Sequence, residues 1–105
     1  SLAGAKTTFH EDRRLLPMER LEGVSGMLTA LIEAGDRVGI KFSEIATPLG
    51  GASNANTTSG MGIMSVDGLG PFGFGAHTED EHVFLNSFTS RIEGVAAYLA
   101  TLPTR

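Results

Sequence analysis

The sequence predicts an α/β fold, a short mixed sheet with helices packed on it. Three observations predict it. Two stretches, 24–32 and 88–102, keep their apolar residues at helical spacing. Short runs rich in β-formers precede and separate them, at 6–13, 41–47 and 63–66. Glycine and proline mark the boundaries, so the order reads strand, helix, strand, short helix, strand, loop, helix.

Residues 6–13 (KTTFHEDR) are polar but carry β-formers, which suits a short exposed strand. Pro17 disfavours helix at Leu16, because the residue before proline is pushed out of the helical region. Val24, Met27, Leu28, Leu31 and Ile32 then fall at i, i+3, i+4, i+7 and i+8, a single apolar stripe. Gly39 is placed to stop that helix in the left-handed conformation, with Ile40 behind it. Residues 41–47 alternate weakly and read as a strand, which Pro48 and Gly50-Gly51 break. Ser53 suits the N-cap of a short helix over 54–59, closed by Gly60. Ile63 to Val66 reads as a buried strand, 67–77 as glycine-rich loop, and Val83 to Leu85 as a short extended stretch. The last helix starts near Asn86 or Ser87. Its apolar positions are Phe88, Ile92, Val95, Ala96, Leu99 and Leu102, and Pro103 follows its end.

A chain of 105 residues makes one domain at most. With 41% apolar and 19% charged residues and a net charge of −4, it offers no electrostatic footprint for nucleic acid or an anionic membrane surface. It has no cysteine, which removes disulfides and thiolate zinc sites and leaves His, Asp and Glu as metal ligands. No apolar run approaches the ~20 residues of a membrane span. A cytoplasmic setting is the working expectation. The 14 glycines cluster at 50–51 and 60–75, where backbone must turn sharply or approach something closely.

Four candidate sites follow, each with a plainer alternative. Gly68, Gly70 and Gly73 match GxGxxG, but a dinucleotide fingerprint must open a helix, and here Pro71, Phe72, Gly75 and the acidic run Glu79-Asp80-Glu81 follow. HTEDEH at 77–82 holds zinc-type ligands, yet His77 and His82 stand five apart and do not share a helix face; the same residues read as a solvated acidic turn. Gly50, Gly51 and Ser53 in GGASNAN expose main-chain N–H groups at a helix start, a place for an anion or carboxylate, or simply a tight turn with its cap. Arg13-Arg14 contains a carboxylate-binding group or two solvated charges.

The order of these segments is more specific than any of them. PMER at 17–20, a helix, GGASNAN at 50–56, GMGIMSVDGLGPFGFGAHTEDEHV at 60–83 and a helix with Arg91 together resemble the end of the co-catalytic zinc peptidases of family M-twenty. That family includes glutamate carboxypeptidases, aminoacylase and succinyl-diaminopimelate desuccinylase. The resemblance runs over about residues 7–102. It implies hydrolysis of amide bonds beside a carboxylate, with a small peptide or N-acyl amino acid as substrate. It also implies two zinc ions that share a carboxylate and activate a water. By resemblance, His77 is a metal ligand and Gly50, Gly51 and Ser53 lie beside the substrate.

On the same comparison, residues 1–17 comprise a cloning scar at Ser1-Leu2 and the last strand of a lid domain. Residues 18–105 are the C-terminal part of the catalytic domain. Two positions depart from the family pattern. Asn54 replaces an aspartate, and the lid arginine falls on Leu15, so Arg14 is a substrate-binding candidate one position off, on the other face of a strand. The His-x-Asp motif, the Glu-Glu pair and the catalytic base of the family have no counterpart in this sequence. The implied chain is thus a fragment of a zinc hydrolase, inactive alone and prone to self-association through uncovered edges. A degenerate binding or interaction domain is the alternative.

Overall fold

The computed structural model describes residues 3–12, 14–45 and 49–104. Among them are three helices, α1 (Val24–Arg37), α2 (Asn54–Gly60) and α3 (Leu85–Leu99), and two short strands, β1 (Gly73–Phe74) and β2 (His82–Val83). The result is a small mixed α and β unit. The sheet is a two-stranded antiparallel hairpin, with Gly73 opposite Val83 and Phe74 opposite His82, and not a mixed sheet. Helices α1 and α3 pack chiefly on each other and not on the sheet.

The helices form for the reasons their sequences give. In α1, Val24 and Leu31 of the apolar stripe are buried, and Met27, Leu28 and Ile32 are half-buried. The helix ends as Gly39 predicts. Gly39 adopts φ 77°, its N–H reaches the Asp36 carbonyl at 3.2 Å, and the Ile40 N–H reaches the Gly35 carbonyl at 2.9 Å. These two bonds satisfy carbonyls that the last turn would otherwise leave unpaired. Helix α2 closes by the same device, but through Gly62 (φ 81°) and not through Gly60. The Gly62 N–H bonds the Ser59 carbonyl at 2.9 Å and the Ile63 N–H bonds the Thr58 carbonyl at 3.0 Å.

The core is centred on one ring. Phe42, beyond the end of α1, lies between Gly35 of α1 and Gly94 of α3. A methyl group on Gly35 would stand 2.7 Å from Phe42 Cδ2, and one on Gly94 would stand 2.6 Å from Cε2 and Cζ. Both glycines are therefore notches that admit the ring and let the helices approach. The guanidinium of half-buried Arg91 caps the assembly, 5.1 Å from the Phe42 centroid and 5.5 Å from that of Phe72. Val24, Leu31, Ala34 and Phe42 are the buried apolar side chains among the described residues.

Several expected strands are not present. Residues 6–12, 41–45 and 63–66 take no regular secondary structure, while Arg13 and residues 46–48 lie outside the described residues. β-formers supply a preference, but a strand exists only where a second chain segment pairs with it. The predicted stripe of α3 is mostly turned outward, with Val95 its one half-buried member. Ser87 and Gly94 are its buried positions, whereas Phe88, Ile92 and Leu99 are exposed. The radius of gyration is 18.4 Å, where a compact chain of this length has about 13 Å. Its accessible surface is 8695 Å², against roughly 5,600 Å² for a compact globule of this mass. No helix among the described residues is long and apolar enough to cross a membrane.

Candidate functional site

The glycine-rich stretch delivers His77 at the end of a hairpin. Gly68, Gly70 and Gly73 do not open a helix; Gly73 begins β1, and the chain turns at 76–80 before returning as β2. This removes the dinucleotide-loop alternative, which needs a helix N-terminus at that point. The close pairing explains Gly73, because a Cβ there would run into the main-chain carbonyl of His82.

The turn itself is a ring of local bonds. The Thr78 N–H and hydroxyl both donate to the Gly75 carbonyl, at 3.0 and 2.7 Å. The Glu81 N–H donates to the Thr78 carbonyl at 3.2 Å, and the Glu81 carboxylate accepts from the His77 N–H at 3.2 Å. Within this ring His77 stands at φ 66°, the sole non-glycine residue with positive φ among the described residues. Histidine is among the side chains that visit this region more readily, though it remains uncommon there. The residue is exposed. The solvated acidic turn read from HTEDEH is therefore present, and His77 projects from it.

His82 is placed differently. Its Nδ1 lies 2.8 Å from the Asp80 carbonyl, which can only accept, so that nitrogen is the donor. Its ring meets the edge of Phe84, with centroids 5.6 Å apart, and leans on Phe74 at 6.3 Å.

Ser53 caps α2 as its sequence position predicts. Its hydroxyl accepts from the Ala55 N–H at 3.1 Å, and its own N–H donates to the Asn56 side-chain oxygen at 2.8 Å, a reciprocal capping box. Gly50 and Gly51 are exposed, and nothing lies within 4 Å of where a Cβ would stand on either. Packing therefore does not require glycine at these two positions. Ser53 and Asn54 border an open cleft of about 580 Å³ with Thr58, Met64, Ser65 and Asp67. A second cleft of about 220 Å³ lies under the hairpin, bordered by Phe74, Glu81 and His82. His77 borders neither, so the structure does not unite it with the Ser53 loop.

Arg14 pairs with Glu11 at 3.0 Å, both side chains being exposed. It reads here as a solvated ion pair of small energetic consequence. Among the described residues no three His, Asp or Glu side chains converge as a group that could hold a metal ion.

Asn56 and Ser59 were not among the sequence candidates. Both are buried, and they tie α2 to the PMER segment: the Asn56 amide nitrogen donates to the Leu16 carbonyl at 2.9 Å, and Ser59 bonds both main-chain groups of Glu19 at 3.1 Å. The spacing Ser53-x-x-Asn56 was the available signal, a capping box with Asn in the place of the usual Glu or Gln. Helix α2 thus holds the segment 16–19 by two side chains, one in the GGASNAN run and one beyond it. Compared with protein-family models, curated proteins and solved structures, the chain gives no match.

Proposed function

We propose that this chain is the C-terminal part of a zinc-dependent amidohydrolase of the co-catalytic metallopeptidase type. It acts on amide bonds beside a carboxylate, in a small peptide or N-acyl amino acid. The observation that carries the reading is the order of PMER, GGASNAN, the glycine-rich loop with its histidine, and the final helix with Arg91.

Three structural features support it. His77 is held in an unfavourable backbone conformation and exposed at a hairpin tip, as suits a side chain offered to a partner. Asn56 and Ser59 of α2 hold residues 16 and 19, at the start of the ordered pattern, against the helix that follows the Ser53 cap. Exposed Phe88, Ile92 and Leu99 leave an apolar stripe of α3 uncovered, as suits a unit that packs against more protein or against a second copy. In this reading His77 supplies one zinc ligand, and the others come from protein beyond this sequence. Gly50, Gly51 and Ser53 line the substrate side. Arg14, exposed and paired with Glu11, is the remaining candidate for the substrate carboxylate.

Asn54 favours a second reading, a non-catalytic binding or interaction domain, because a charge usual at that position in the resembled family is missing. One comparison separates the two. The purified chain with zinc and an N-acyl amino acid is expected to show no turnover. A longer product of the gene that carries His-x-Asp and Glu-Glu upstream is expected to hydrolyse the same compound, and His77→Ala is expected to cost it more than the roughly 10–100-fold lost with an outer-shell partner of a metal ligand. Turnover by the chain alone, or a full product unaffected by His77→Ala, overturns the proposal.

A further inference from the structure

We infer that Asn56 is a positioning residue that couples the arm at 16–19 to the loop ending at Ser53. The side chain is 9% exposed and uses both ends of its amide. The oxygen accepts from the Ser53 N–H at 2.8 Å, and the nitrogen donates to the Leu16 carbonyl at 2.9 Å, 40 residues away in sequence. A planar amide holds its donor and acceptor at fixed separation, so the two bonds are not independent. Moving the Leu16 carbonyl turns the amide and draws its oxygen away from Ser53.

Ser59, 4% exposed and one turn further along α2, makes the arm a fixed input to that joint. Its hydroxyl accepts from the Glu19 N–H and donates to the Glu19 carbonyl, each at 3.1 Å. The side chains of α2 thereby do for residues 16–19 what a neighbouring strand would do in a sheet, satisfying main-chain groups. Leu16 adds an apolar contact, since a Cβ on Gly60 would stand 3.3 Å from its Cδ1. The arm, the helix and the loop form one mechanical unit. On the reading proposed above, from which this takes only the loop's identity, Asn56 sets the placement of the substrate-side loop and touches no substrate.

The test uses amide hydrogen exchange on this chain, resolved by NMR, with no metal or substrate added. Ser59→Ala removes bonds to the arm alone. It is expected to raise exchange at Ser53 as well as Glu19 by about fivefold, the size of one net hydrogen bond, with amides of α1 unchanged. Asn56→Asp keeps an acceptor for the Ser53 N–H and loses the donor to Leu16. It is expected to speed Glu19 by about the same factor while Ser53 stays protected. An unmoved Ser53 in the first variant, or an unmoved Glu19 in the second, overturns the coupling. If Ser59→Ala melts α2, the Asn56→Asp result alone decides. Failure here leaves the zinc reading untouched, and a full product without zinc-dependent hydrolysis would leave the coupling intact.

Discussion

Around Phe42 the chain is held by packing, whereas around Asn56 it is held by polar side chains bonded to main chain. In the first region Gly35 and Gly94 are spaces into which a ring fits, and Arg91 lies over that ring. In the second, Asn56 and Ser59 are buried, and their partners are main-chain groups of Ser53, Leu16 and Glu19. Packing of the first kind cannot be loosened locally, because the ring contacts both helices. Bonds of the second kind can open as a local unit while the helix pair stays folded. The difference separates a scaffold, α1 with α3, from the segments that carry the candidate residues.

Phe42→Ala puts the scaffold to the hardest test. Removing a buried phenylalanine costs about 3–5 kcal/mol, comparable to the whole stability of so small a core. The helix pair is expected to come apart, with loss of helical circular dichroism at 25 °C; an unchanged spectrum would show that the pair does not depend on this ring. Gly73→Ala tests the scaffold against the hairpin that carries His77. A Cβ there collides with the His82 carbonyl, so the hairpin is expected to open while α1 and α3 keep their amide protection. Joint loss of hairpin and helices would mean that the two regions are one cooperative unit. Arg91 joins them, through Phe42 on one side and Phe72 on the other. Arg91→Ala is expected to have the smallest effect, about 1 kcal/mol by denaturant titration.

The sequence carries the helices more clearly than it carries the sheet. Helical periodicity is local, and so are the cap at Ser53 and the stop at Gly39, which is why α1 and α2 lie close to their expected bounds. The stop of α2 falls two residues later than expected because Gly62, and not Gly60, takes the left-handed conformation. Strand pairing is non-local, and β-formers at 6–12 and 63–66 do not say what they pair with. The pairing of Phe74 with His82 was hidden in a segment read as loop, since only two residues of each strand take part.

Gly35 and Gly94 were illegible for another reason. A glycine inside a helical pattern reads as a weakness until the ring that fills its space is known. At the candidate site the residue types of the turn were legible. The left-handed backbone of His77 was not, because nothing in HTEDEH distinguishes it from a residue in the ordinary helical region.

The large accessible surface described above also bears on how the molecule unfolds. Both the denaturant dependence of stability and the heat-capacity change grow with the area newly exposed. A folded chain that already exposes 8695 Å² has less left to expose than a compact one of the same length. Its unfolding is therefore shallow in denaturant and broad in temperature. Any cover placed over Phe88, Ile92 and Leu99 of α3 sharpens both transitions, because the covered area is then exposed only on unfolding.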